Sequence, residues 1–92
     1  MAKRLMIEGL VQGVGYRYAL AERATALGLA GWVRNRANGA VEASVHGPAD
    51  AVKAIIEWAH KGPSAACVSR VQVADDTEAA PPGATFDIRP TV

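Results

Sequence analysis

Cysteine and aromatic residues are scarce in this 92-residue sequence. Its single cysteine, Cys67, cannot form an internal disulfide, which is typical of a protein from a reducing compartment. Only 5% of the residues are aromatic, too few to favour a polynucleotide partner that stacks its bases on the protein. No apolar run is long enough for a signal peptide or a membrane span. We therefore expect a cytoplasmic protein that binds neither nucleic acids nor membranes.

Residue types that bind metals or attack substrates are also rare. The two histidines and the cysteine are far apart and have no metal-ligand spacing, so we expect no metal site. His46, on the polar side of a strand, and His60, near a helix end, are expected to take no part in the chemistry. We expect Cys67 to be a small buried residue rather than a nucleophile.

Length and charge describe one domain with an uneven charge distribution. A chain of 92 residues can bury roughly two-thirds of its surface, so residues 1–92 are expected to form one domain. The net charge is +1, yet residues 1–36 carry six basic against two acidic side chains, and residues 37–92 carry four against seven. The basic part would attract a small anion. Arg34 and Arg36 are expected to be solvated, or to steer such an anion weakly.

The stretch from Gly9 to Arg17 places three glycines between an apolar strand pattern and the start of a helix. Glycines let consecutive N–H groups turn to one side, and the first N–H groups of a helix lack partners, so such a loop attracts an anion. The guanidinium of Arg17 can bind a phosphate through two hydrogen bonds. Neither a Walker A motif nor the dinucleotide fingerprint is complete here. From residue types alone, an anion-binding loop and a tight strand-to-helix corner with a solvated Arg17 are equally supported.

The order of the apolar patterns predicts a β-α-β-β-α-β fold with a short additional C-terminal strand. Alternation indicates strands, a helical period indicates helices, and Asn38-Gly39 between two alternating runs indicates a hairpin. The predicted elements are strands over 4–7, 31–36, 41–46, 67–73 and 85–89, helices over 17–27 and from Pro48 to about 60, and an acidic loop over 75–83. Two helices on one face of an antiparallel sheet make an α+β sandwich of the ferredoxin-like type.

Three segments together resemble the acylphosphatase family. They are Val11-Gln12-Gly13-Val14-Gly15-Tyr16-Arg17, Gly31-Trp32-Val33-Arg34-Asn35 and Asn38-Gly39-Ala40-Val41-Glu42. The resemblance spans nearly the full chain and implies a small hydrolase that converts an acyl phosphate and water into a carboxylate and inorganic phosphate. Tyr16 departs from the more familiar phenylalanine, and Leu10 stands where a basic or polar residue is frequent.

The resemblance also implies where the substrate binds. Arg17 would anchor the phosphoryl oxygens and Asn35 would position the attacking water, so these two residues would be catalytic. The implied phosphate-binding residues, acting through their backbone N–H groups, are Gln12, Gly13, Val14, Gly15, Tyr16 and Arg17. N–H groups and a guanidinium suit the charge that develops on three equatorial phosphoryl oxygens, and a carboxylate leaves without a general acid. No cofactor, metal or covalent phosphoenzyme is implied, and we expect a monomer whose partner is a small acyl phosphate.

Other functions are open at this point. The same loop could hold an anion in a non-catalytic regulatory module, because the ferredoxin-like fold serves many functions. An RNA-recognition domain shares the topology but needs exposed aromatic residues on its central strands, where Leu5, Ile7, Ser69 and Val71 stand. The N-terminal part of the hydrogenase-maturation carbamoyltransferases carries the same signatures, although a chain that ends at Val92 favours a stand-alone enzyme. Nothing in the loop predicts which acyl group is used.

Overall fold

A computed structural model describes residues 1–80, 83 and 85–92. Its elements follow the predicted order: β1 (Ala2–Leu10), α1 (Tyr16–Ala26), β2 (Ala30–Asn35), β3 (Val41–His46), α2 (Ala49–Ala59), β4 (Cys67–Asp75) and β5 (Phe86–Ile88). Both β1 and β4 are longer than predicted, so Asp75 belongs to a strand rather than to the acidic loop. Pro81 and Pro82 of that predicted loop lie outside the described residues.

The strands form one five-stranded sheet in the order β4-β1-β3-β2-β5. The first four are antiparallel, as predicted, and β2 and β3 form the expected hairpin. The additional C-terminal strand, β5, runs parallel to β2, a direction that the sequence did not predict, so the sheet is mixed. β4 and β2 run in opposite directions. β5 is parallel to β2 and is therefore antiparallel to β4.

Both helices pack on one face of the sheet and enclose the core. The helix predicted over 17–27 is confirmed as α1, and its residues Tyr16, Leu20 and Ala24, which recur at helical spacing, are buried. α2 buries Val52, Ile55 and Ala59 in the same cluster. The sheet contributes its inward-facing side chains, which are Leu5, Ile7, Val33, Val41, Ala43 and Val45. No helix of the described residues is long and apolar enough to cross a membrane.

The opposite face of the sheet carries a buried layer of polar and charged groups. Glu42 is only 5% exposed and accepts hydrogen bonds from Arg4 and Arg34. Trp32 is 2% exposed and lies 4.5 to 5.0 Å from the guanidiniums of three arginines, which are Arg4, Arg34 and Arg89. The prediction that Arg34 is solvated is therefore wrong, since it is partly buried in an ion pair.

The same face bears on the RNA-recognition alternative. Leu5 and Ile7 are buried beneath the helices and Val71 packs partly against the same core, so these three stand on the face opposite to an open RNA-binding surface. Ser69 is exposed but is not aromatic. Trp32 is on the face that an RNA-recognition domain would use, but it is covered and cannot stack a base.

The single cysteine differs from its expected placement. Cys67, expected to be buried, is exposed at the start of β4, which is an edge strand of the sheet.

Candidate functional site

The loop between β1 and α1 turns sharply at two glycines. Gly13 and Gly15 have φ angles of 75° and 77°, in the left-handed region that glycine adopts at little cost. Gly15 is also the N-cap of α1, and no side chain of the described residues caps the helix there. A Cβ placed on either glycine would meet no atom of that described part of the chain within 4 Å, so the loop is open on that side.

The backbone N–H groups of this loop are free to bind an anion. The first hydrogen bond of α1 runs from the Ala19 N–H to the Gly15 carbonyl, at 3.1 Å. Within the described part of the chain, no N–H from Gln12 to Tyr18 donates to another protein group. The first turn of α1 holds no acidic side chain. The positive end of the helix dipole is therefore uncompensated beside these donors.

The Gln12 side chain connects the loop to the β2–β3 hairpin. Its Nε2 donates to the carbonyl oxygens of Arg36 and Ala40, at 2.8 and 3.0 Å. Both carbonyls flank the hairpin turn that follows Asn35. The side chain of Gln12 is thus committed to the scaffold, and only its backbone N–H is available to an anion.

Asn35 ends β2 beside this loop. The alternation of the strand places its side chain on the same face as Val33, toward the helices. The amide oxygen Oδ1 is buried and has no hydrogen-bond partner among the described residues. A buried polar atom without a partner costs free energy, so such an atom is usually satisfied by a ligand or by water.

The Arg17 side chain lies in the first turn of α1 and is partly buried. Its guanidinium carbon is 5.8 Å from the centre of the Tyr18 ring. None of the carboxylates that the structure describes is within 4.0 Å of it. Arg17 thus keeps its charge available to an anion.

These groups surround one small cavity of about 130 Å³. Its lining residues are Val11, Gln12, Gly13, Gly15, Tyr16, Arg17, Tyr18 and Asn35. The structure thus brings together every residue predicted for the site except Val14, whose side chain packs against the core. Val11 and Tyr18 also line the cavity and were not predicted from the sequence, although an aromatic residue directly after Arg17 was a visible signal for Tyr18.

Tyr16 contributes to the cavity while its side chain serves the fold. The hydroxyl donates to the Ala59 carbonyl at 2.8 Å, and the ring lies 5.5 Å from the Trp58 ring. Burial raises the pKa of the Tyr16 phenol, so the group is neutral at physiological pH. The ring therefore anchors the start of α1 on α2.

Larger hollows elsewhere lack comparable chemistry. Two hollows of about 360 and 450 Å³ lie around Trp58 on the outer side of the helices. Neither is lined by a buried polar atom without a partner, as far as the structure describes the chain. No group of three His, Cys, Asp or Glu side chains is placed to hold a metal within residues 1–80, 83 and 85–92.

Comparisons with known proteins point to one family. A sequence model described as Acylphosphatase matches residues 3–88. A relative named Acylphosphatase from Azoarcus sp. is 56% identical over 91 residues, covering 98% of this chain and 90% of the relative. The crystal structure of acylphosphatase from Bacillus subtilis superposes with a TM-score of 0.87 at 34% identity, covering 96% of this chain and 97% of that one.

A larger protein contains a similar unit. The crystal structure of full-length HypF in the phosphate- and nucleotide-bound form matches with a TM-score of 0.83 at 26% identity. The match covers 98% of this chain but 12% of that one. The chain thus corresponds to nearly the whole of the smaller relatives and to a small part of HypF.

Proposed function

Because this chain belongs to the acylphosphatase family and is an enzyme that hydrolyses acyl phosphates, we propose that the cavity between the 12–17 loop and Asn35 is its catalytic site. The observation that carries the proposal is the buried, unpartnered Oδ1 of Asn35 beside a set of free N–H donors. A non-catalytic anion-binding module is not favoured by these relatives, and it would not need this amide.

The first step is binding of the phosphoryl group. Backbone N–H groups of Gln12 to Arg17 donate to its oxygens, and the guanidinium of Arg17 adds two charge-assisted hydrogen bonds. Because these donors are already fixed by the loop and the helix, they stabilise the charge of the transition state without reorganising. Their positions are supported by the left-handed turns at Gly13 and Gly15.

The second step is attack by water on phosphorus. Oδ1 of Asn35 accepts a hydrogen bond from the water and thereby fixes the position of the water oxygen. The water is thereby held on one side of the phosphorus, in line with the bond that breaks. Asn35 is neutral and does not remove the proton, so its contribution is positioning and orientation.

The leaving group needs no help from an acid. Breaking the bond between phosphorus and the bridging oxygen releases a carboxylate, whose conjugate acid has a pKa of roughly 4. Such a group leaves as an anion at neutral pH, so no general acid is required. The proton of the attacking water ends on the inorganic phosphate. We propose that the reaction proceeds without a metal, a cofactor or a phosphoenzyme.

The proposal also covers the domain organisation, oligomeric state and location of the enzyme. We propose that residues 1–92 act as one domain and as a monomer in the cytoplasm. The continuous core beneath both helices supports one domain, and the free thiol of Cys67 supports a reducing compartment. Gel filtration and fractionation of cells test the oligomeric state and the location.

The role of Arg17 is tested by the rate of hydrolysis of benzoyl phosphate in excess chelator. We expect Arg17→Ala to lose about 10³-fold in kcat/KM, or roughly 4 kcal/mol, as other arginines that stabilise phosphoryl transfer do. Arg23→Ala is the matched control, because Arg23 is an exposed arginine on the same helix, outside the cavity. Near-normal turnover in Arg17→Ala would contradict the proposed site, and loss of wild-type turnover in chelator would contradict metal independence.

A further inference from the structure

Tyr18 presents a large exposed ring at the catalytic cavity. Six large apolar side chains are well exposed within the described residues, and Tyr18 is the one among them that lines this cavity. The ring is 66% exposed, although α1 could have carried a polar residue at this position. Leu10, the exposed apolar residue nearest in sequence, does not line the cavity.

The cavity is small beside an aromatic acyl phosphate. Its volume of about 130 Å³ is slightly below that of an apolar cavity of ~150 Å³ that binds benzene. A phosphoryl group bonded to an aromatic acyl group is larger than benzene. Part of such an acyl group therefore extends out of the cavity, against whatever surrounds its mouth.

The geometry of the reaction indicates on which side the acyl group lies. In an in-line displacement, the entering and leaving oxygens are on opposite sides of the phosphorus. Oδ1 of Asn35 is buried and Tyr18 is exposed, so we place the proposed water on the inner, Asn35 side of the cavity and its mouth on the Tyr18 side. The leaving oxygen, and the acyl group attached to it, then point outward to the mouth, where the Tyr18 ring is exposed.

We propose that the Tyr18 ring forms a binding subsite for the acyl group and that it favours apolar acyl groups, aromatic ones above all, over acetyl. The proposal rests on the catalytic site proposed above. An aromatic acyl group would bury part of the exposed ring and gain an aromatic pair contact, whereas acetyl is too small to cover it. The centre of the ring is 5.8 Å from the guanidinium carbon of Arg17, so the ring lies beside the group that is proposed to bind the phosphoryl oxygens.

Steady-state kinetics with two substrates test the subsite. We expect Tyr18→Ala to lower kcat/KM for benzoyl phosphate about three- to tenfold, the effect of one aromatic pair contact, and to leave kcat/KM for acetyl phosphate within about twofold. Tyr18→Phe keeps the ring and should keep the wild-type preference. Leu10→Ala removes an exposed apolar side chain outside the cavity and should leave kcat/KM unchanged for both substrates.

Inhibition by inorganic phosphate separates this role from an effect on Arg17. We expect the inhibition constant of phosphate to be the same in Tyr18→Ala and in the wild type, because phosphate has no acyl group. An equal loss on both substrates, or weaker inhibition by phosphate, would overturn the subsite and assign Tyr18 to positioning Arg17. If the proposed catalytic site were wrong, the result would be different, because Arg17→Ala would then still hydrolyse both substrates.

Discussion

Single side chains divide the work between fold and chemistry, even within one short loop. Gln12 and Tyr16 use their side chains to attach the loop to the hairpin and to α2, while their backbones line the cavity. Arg17 and Asn35 have no such structural partners for their side chains among the described residues. The division follows from hydrogen bonding, because a group already paired with the scaffold has less to offer a substrate.

The hydroxyl of Tyr16 makes a buried hydrogen bond whose contribution to stability can be measured. Tyr16→Phe removes the buried hydrogen bond to the Ala59 carbonyl and keeps the ring. We expect a loss of about 1 kcal/mol in the free energy of unfolding, the usual net value of one such bond. Urea denaturation of the two proteins measures it. An unchanged midpoint would mean that the Ala59 carbonyl is satisfied equally well by water.

Gly31 lies where the neighbouring strand leaves no room for a side chain. Its φ angle is 140°, and a Cβ there would overlap the backbone carbonyl of Ser44 on the neighbouring strand. We expect Gly31→Ala to destabilise the fold by about 3 kcal/mol or more, from backbone strain and overpacking together. Gly28→Ala is the control, since its φ is also positive but its Cβ meets no atom within 4 Å. Equal unfolding midpoints for the two variants would contradict this account.

At the scale of elements, the site is a junction of two local structures. The N-terminus of α1 supplies donors, and the end of β2 supplies Asn35. The side chain of Gln12 fixes one to the other through the Arg36 and Ala40 carbonyls. The proposed site therefore depends on a contact between elements that are far apart in sequence.

The variant Gln12→Glu tests this connection, because glutamate has the same size but no N–H to donate. We expect a loss of about 1 to 3 kcal/mol in stability, since the carboxylate would face two carbonyl oxygens. We also expect kcat to fall while the overall fold persists. Circular dichroism and benzoyl phosphate kinetics measure both. Gln72→Glu, on the exposed surface of β4, is the control and should change neither.

Most of the elements and the site loop were predictable from sequence because their signals are local. The helical spacing of Tyr16, Leu20 and Ala24 and the Asn38-Gly39 turn are read directly from neighbouring residues. The parallel direction of β5 and the exposure of Cys67 depend instead on which strands lie at the edges of the sheet. The length of β4 depends likewise on its pairing with β1, which no local pattern encodes.

For the whole molecule, we expect the buried layer of polar and charged groups on the outer face of the sheet to make stability depend on pH. Burial alone would raise the pKa of Glu42, but hydrogen bonds from Arg34 and Arg4 outweigh it and hold the pKa below its usual range. Burial likewise opposes the lowered pKa of Asp76, which accepts hydrogen bonds from Ser44, the Glu78 N–H and Arg4. Both carboxylates are therefore stabilised in their charged form by the folded state.

These pKa shifts predict that the protein loses stability in acid. A carboxylate whose pKa is lowered by folding stabilises the protein above its unfolded value, about 4, and this stabilisation is lost as the pH falls through the folded value. We expect the free energy of unfolding, from urea titrations, to be level between pH 6 and 7 and to fall below about pH 4. Glu42→Gln should be less stable at pH 7 and show a shallower decline. An identical slope in the variant would remove Glu42 from this account.

We propose that the cavity separates two tasks, with the loop and Arg17 binding the phosphoryl group and Asn35 holding the water. The most direct test measures kcat for benzoyl phosphate and the inhibition constant of inorganic phosphate in wild type and Asn35→Ala. We predict that kcat falls by about 10² to 10³-fold, as when a preorganised polar group is removed, while the inhibition constant changes less than about threefold. Equal loss of turnover and phosphate binding would show that Asn35 is structural, and unchanged turnover would place the attacking water elsewhere.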